Sequence, residues 1–151
     1  MQLTKHFSLE ELTTSDTAAR LDIDNTPPDD IVNIMRTILA PGLERVRMIL
    51  GSRPIHVTSG YRSELLNSAV GGSKHSAHMR GLAADIICPQ FGSPLEVCKA
   101  IAEIESRLGT DQIIHEYTRW CHVAFAGPGE IARGELLTIA SSVAGYQPGL
   151  V

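Results

Sequence analysis

Apolar residues recur at helical spacing through the first third of the chain. Ile31, Ile34, Met35, Ile38 and Leu39 fall on one face, and Leu43, Val46, Ile49 and Leu50 carry the pattern on to Gly51. Pro41 interrupts it. A proline lacks an amide hydrogen and crowds the preceding turn, so it is expected to end or kink the helix there. Upstream, Ser8-Leu9-Glu10-Glu11 fits a capping box and predicts a short helix. The run Asp24 to Asp30, with Pro27 and Pro28 inside it, has the composition of a turn leading into the next helix.

The period then changes. Pro54 to Ser59 is short and β-branched and stops at Gly60, which predicts a strand. Ser63 is placed to cap a short helix through Leu65, Leu66 and Ala69, closed by Gly71-Gly72. Leu82 to Cys88 is an apolar run of central-strand type. Ser93-Pro94 opens a helix with Leu95, Val97, Cys98, Ile101 and Ile104 on one face and Gly109 at its end. Asp111 to Glu116 and Trp120 to Phe125 read as two strands of a hairpin around Tyr117-Thr118-Arg119. From Gly127 the chain is glycine-rich and weakly patterned. The order predicts an α+β fold, a small and largely antiparallel sheet with helices packed against it.

Composition narrows the function. The 151 residues are 43% apolar and 20% charged, which suits one domain over residues 1–151, with a core at about 5–126 and a tail at 127–151. A net charge of −4 and 5% aromatics leave neither a basic surplus for phosphates nor stacking platforms, so no nucleic-acid partner is expected. No apolar run reaches membrane-spanning length, and the first residues, with Glu10 and Glu11, lack the apolar stretch of a secretory signal. Cys88, Cys98 and Cys121 are odd in number and lack metal-knuckle spacing.

Two segments concentrate the chemistry. Asp85 sits in an otherwise apolar strand (Leu82, Ala83, Ala84, Ile86, Ile87), where an uncompensated carboxylate is costly. His78 lies in the loop entering that strand, with Gly81 between them at a point that suits a backbone conformation closed to other residues. His122 stands in the apolar run Trp120 to Phe125. Two imidazoles and a carboxylate form a common ligand set for catalytic Zn²⁺. The alternative is an ion pair of Asp85 with Arg62 or Arg80, with His78 and His122 as hydrogen-bonded core residues.

These residues resemble a known family. Ser76-Ala77-His78-Met79-Arg80-Gly81-Leu82-Ala83-Ala84-Asp85 is similar to the SxHxxGxAxD signature of the zinc D-Ala-D-Ala carboxypeptidases and L-alanyl-D-glutamate endopeptidases. Thr58 to Ser63 with Asn67 resembles the segment that precedes this signature, Trp120-Cys121-His122-Val123 resembles its WxHV strand, and Phe7 to Glu11 resembles the opening of the small phage-type members. The resemblance spans roughly residues 5 to 126. It implies a hedgehog/D-Ala-D-Ala-peptidase-like fold and one Zn²⁺ per chain held by His78, Asp85 and His122. It also implies that Arg62 holds an anionic part of the substrate or the charge developing on the attacked carbonyl, and that Ser76 hydrogen-bonds the peptide or orients its loop. Tyr61 and Trp120 would wall the cleft.

The general base is less fixed by the pattern. Glu116 precedes His122 by six residues rather than the three found in some relatives, and His115 stands beside it. Strand alternation allows only one of the two to face the metal. A two-residue turn at Thr118-Arg119 would set His115 opposite His122; another turn would set Glu116 there. Glu116 is the favoured base, taking a proton from a water acidified by the metal. The implied substrate is a peptidoglycan stem peptide, cut by a carboxypeptidase or an endolysin-type endopeptidase acting as a monomer. The implied setting is a phage or prophage product made in the host cytoplasm and acting on the cell wall, or carried on the virion. A non-catalytic cell-wall module that keeps the metal, or a cytoplasmic D,D-dipeptidase, are the alternatives.

Overall fold

The computed structural model describes residues 1–105 and 109–151. Two short helices open the chain, α1 (Leu9–Thr13) and α2 (Asp16–Arg20), each capped by a serine hydroxyl, Ser8 and Ser15. A longer helical rod follows: α3 (Asp29–Ile34), a wide π-turn (Met35–Leu39) and α4 (Ala40–Ile49). Pro41 therefore does not end the helix. The turn before it widens, the Ala40 amide donates to the Met35 carbonyl five residues back, and the proline sits in the first turn of α4 without breaking the rod.

The rest builds one six-stranded sheet. In chain order come β1 (His56–Ser59), α5 (Glu64–Ala69), a 3₁₀ turn (Ala77–Arg80), β2 (Ala83–Ile87) and α6 (Pro94–Glu105). They are followed by β3 (Thr110–Glu116), β4 (Trp120–Phe125), β5 (Glu135–Ile139) and β6 (Tyr146–Pro148). The end expected for α6 before Gly109 lies outside the described residues. The spatial order is β1-β2-β4-β3-β5-β6, antiparallel except for β5, which runs parallel to β3. The tail expected to be weakly patterned thus supplies two strands. Its glycines at 129, 134, 145 and 149 adopt positive φ between short extended runs, which hides a strand pattern from any longer window.

Alternation divides the sheet into two faces. Ala84 and Ile86 of β2, Ile113 of β3, and Cys121, Val123 and Phe125 of β4 enter the core with Leu39, Leu43 and Val46 of the rod and Val97, Cys98 and Ile101 of α6. Asp85, His122, Ile114 and Glu116 occupy the opposite face, which lines a groove of about 1120 Å³. Among the described residues, no helix is long and apolar enough to cross a membrane.

Candidate metal centre

Register brings Asp85 and His122 together. They are direct partners across β2 and β4, and the Asp85 Oδ1 lies 2.9 Å from His122 Nδ1. His78 arrives from the 3₁₀ turn. Ser76 caps this turn by accepting the His78 amide at 3.2 Å, and Gly81 closes it at φ 71°. A β-carbon on Gly81 would also press against Ile31 Cγ2 at 2.9 Å, so a side chain is excluded twice over. His78 Nε2 then sits 3.3 Å from the same Asp85 oxygen, and the two rings meet edge-on with centroids 5.0 Å apart.

The donor set suits Zn²⁺. One ligand atom from each of His78, Asp85 and His122 lies within 4.8 Å of the others, and all three side chains are buried. Ligands at ordinary zinc distances in a tetrahedron would be about 3.3 Å apart, close to the separations from Asp85 Oδ1. The tautomer of His78 agrees as well. Its Nδ1 is 2.7 Å from the Gly60 carbonyl, which only accepts, so Nδ1 carries a proton and Nε2 is the atom left to face a metal. A lone pair and a carboxylate oxygen at 3.3 Å repel unless a cation or proton lies between them. Burial disfavours the Asp85 charge, but His78 and the hydrogen bonds with His122 and His78 outweigh it and hold this carboxyl well below the usual range.

Arg62 pairs with the other Asp85 oxygen at 3.2 Å, while its Nε donates to Ser59 Oγ at 3.1 Å and Nη1 reaches Asn67 Oδ1 at 3.5 Å. The ion pair and the His–Asp–His cluster, alternatives on paper, coexist on the two oxygens of one carboxylate. Arg80 instead pairs with Glu130 at the surface.

The hairpin sets only one of the two base candidates on the face of His122. A three-residue turn makes Glu116 the partner of Trp120 and Ile114 the partner of His122. Neither Glu116 nor His115 is opposite His122, yet alternation puts Glu116 on its face, with Oε1 3.6 Å from His122 Nδ1. The Trp120 indole donates to Glu116 Oε2 at 3.1 Å and packs edge-on against Tyr117. His115 faces the other way, its Nδ1 2.9 Å from the Val151 carbonyl. Burial, then the Asp85 charge, pushes the Glu116 carboxyl above its usual range, and His122, Trp120 and Arg62 pull it back only in part. Cys121 is fully buried, and that burial raises its thiol well above the ordinary value.

Tyr61 and Ser76 line the groove, though each has a further part. Tyr61 packs into the core, and its amide donates to the Leu12 carbonyl at 2.7 Å. Several contributors had no visible signal in the sequence. Asn25, read only as a turn residue, donates to the Thr13 and Tyr61 carbonyls and accepts the Ser63 amide at 2.7 Å, pinning the Arg62 segment. Tyr146 and Leu137 reach the groove from the tail.

Among the glycines, Gly60 makes the tightest approach to backbone. A β-carbon there would stand 2.3 Å from the Leu12 carbonyl oxygen, against backbone that cannot swing aside. Gly60→Ala should cost about 1–3 kcal/mol by overpacking and weaken zinc binding by displacing the carbonyl that orients His78. Thermal melts with and without zinc would check both effects; an unchanged melting temperature would contradict this account.

Two converging imidazoles, a shared carboxylate and a second carboxylate beside them, on the floor of an open groove, are the equipment of a metal-dependent hydrolase. Residues 5–124 match the family described as Peptidase M15, and the chain belongs to that family. A 44-residue stretch is 48% identical to the zinc D-Ala-D-Ala carboxypeptidase of Streptomyces albus G, covering 29% of this chain and 17% of the relative. Family and cluster together support a zinc metallopeptidase.

Proposed function

We propose that this chain hydrolyses amide bonds in peptidoglycan stem peptides, with zinc held by His78, Asp85 and His122. The observation that carries the reading is the convergence of these three side chains beside Glu116 on the groove floor. The peptidoglycan part is supported by the stretch similar to a D-Ala-D-Ala carboxypeptidase.

When bound, zinc supplies a water of lowered pKa and a Lewis acid for the substrate carbonyl. Glu116 is the base that takes the proton and passes it to the leaving amine, since its Oε1 faces the cluster while Trp120 fixes Oε2. Arg62 steadies Asp85 and, with the N–H groups that Asp85, Ser59 and Asn67 leave over, offsets negative charge on the attacked carbonyl. Ser76 sets the His78 turn and keeps its hydroxyl proton to donate to the peptide.

Incubating purified peptidoglycan fragments with the protein, with and without chelator, tests the proposal by mass spectrometry. Products heavier by one water in total, formed only without chelator, are expected; intact fragments in both arms would refute it. A finer test concerns the indole. Trp120→Phe keeps an aromatic ring and removes the N–H that holds Glu116. It should lower kcat about tenfold or more through misorientation while KM stays nearly constant. A proportional change in KM instead would make Trp120 a substrate wall only.

A further inference from the structure

We infer that Tyr146 is a substrate-binding residue, and that with Tyr117 and Leu137 it forms a subsite for an aliphatic side chain of the substrate near the cut; this rests on the peptidase reading above. The family match ends at residue 124, so Leu137 and Tyr146 lie beyond it. They stand on β5 and β6, yet both line the groove. Register brings them there. One row across the sheet runs Trp120, Glu116, Ile139, Tyr146, each the direct partner of the next. The next row on that face runs Asp85, His122, Ile114, Leu137. Direct partners share a face, and all of these except the buried Ile139 line the groove. Strands lie about 4.8 Å apart, so Tyr146 is about 10 Å from Glu116, and Leu137 as far from His122, between Cα atoms. At about 3.4 Å per residue, an extended peptide leaving the cluster toward β5 meets these side chains within about three residues.

Both walls of the subsite are held by backbone. The Tyr117 amide donates to the Ile139 carbonyl at 2.8 Å, which fixes the hairpin turn against β5. The turn leading into Tyr146 is closed by Ser141, whose hydroxyl accepts the Ala144 amide and whose carbonyl accepts the Gly145 amide, each at 3.1 Å. Burial, then the charge of Glu116, with Tyr117 and Asp85 adding to it, pushes the Tyr146 phenol above its usual range, as expected of a ring that leans over the groove. The side chain is still 58% exposed, so it has surface left to cover. Ile114 and Leu137 give an apolar floor between the rings, and an aliphatic group buried there gains contact with both. The charged neighbour in these rows is Glu116, which repels a carboxylate and, if it held a basic group, could not act as base. Further along β3 and β5, Arg133 grips both oxygens of Asp111, and Glu135 accepts from Gln112 at 2.6 Å.

Two variants separate the ring from its hydroxyl. Tyr146→Thr keeps a hydroxyl on a residue suited to a strand but removes the ring, and Tyr146→Phe does the reverse. The zinc-loaded full chain is given a synthetic stem pentapeptide and versions with single residues changed to glycine, with kcat and KM read by mass spectrometry. The metal-free protein is titrated with the same pentapeptide, and the fluorescence of Trp120, the sole tryptophan, reports Kd. Tyr146→Thr should raise KM and Kd about tenfold, in the range of an aromatic contact at an interface, with kcat within threefold and an unchanged melting temperature. Tyr146→Phe should stay within threefold throughout. At one position within three residues of the cut, replacing alanine by glycine should raise KM of the parent about fourfold, the worth of a buried methyl group. That penalty should vanish in Tyr146→Thr, as coupled partners require. Leu137→Ala should lose the same penalty, so the outcome does not hang on the folding of one variant. Unchanged KM and Kd in Tyr146→Thr, equal losses in Thr and Phe, or a glycine penalty independent of both sites would overturn the inference and leave the peptidase reading standing. A fall in kcat at constant KM would overturn it as well, by placing Tyr146 in the chemistry and not in binding. Failure of the parent to hydrolyse the pentapeptide would sink the peptidase reading and this inference with it.

Discussion

Replacing Glu116 by glutamine should leave a folded, zinc-binding protein that has lost about 10²–10⁴ of its kcat, the span a positioned general base contributes. Glutamine keeps the shape and the oxygen that accepts from the Trp120 indole, but it cannot accept a proton. Glu116 lies outside the His78–Asp85–His122 cluster, so metal content measured on the purified variant should be unchanged. Hydrolysis above a tenth of the parent rate, with zinc bound, would move the base elsewhere. His115 is not a ready substitute, since it sits on the opposite face of β3 with its Nδ1 engaged by the Val151 carbonyl.

The second large effect concerns the metal. Chelation should abolish hydrolysis without unfolding the chain, because the buried Asp85 keeps the partly buried Arg62 as its counter-charge at 3.2 Å. Zinc returned at a thousandfold excess over Kd should stabilise the fold by about 4 kcal/mol, which is about 10 °C for a domain of this size. His122→Ala should lose both the activity and that thermal shift. Asp85→Ala should do the same and cost about 3 kcal/mol more, since it strands the Arg62 guanidinium without its carboxylate. Calorimetry of the two apo variants separates them. Equal apo stabilities would mean that the Arg62 pair contributes nothing to the fold.

The candidate ligands were legible because each is a polar residue set in an apolar strand or a tight turn, where burial demands a partner. Alternation along β3 and β4 carries Glu116 and His122 to one face and Cys121 to the other, as strand periodicity implies. Three features could not be read. The hairpin register depends on Tyr117 and Thr118 adopting left-handed backbone, at φ 56° and 58°, which no residue type there announces. The π-turn that accommodates Pro41 is set by how the rod packs rather than by its period. The choice of Arg62 over Arg80 as the partner of Asp85, both offered by the sequence, is made only by the fold, which sends Arg80 to Glu130 instead.

The parallel pairing of β5 with β3 also bears on how the protein is handled. The family match stops at residue 124, so trimming the chain there looks natural. Such a cut would strip the outer row of β3 amides and carbonyls of their partners and turn a middle strand into a bare edge. Bare edges template sheet-to-sheet association. A shortened version would therefore be expected to aggregate on expression even with His78, Asp85 and His122 all present.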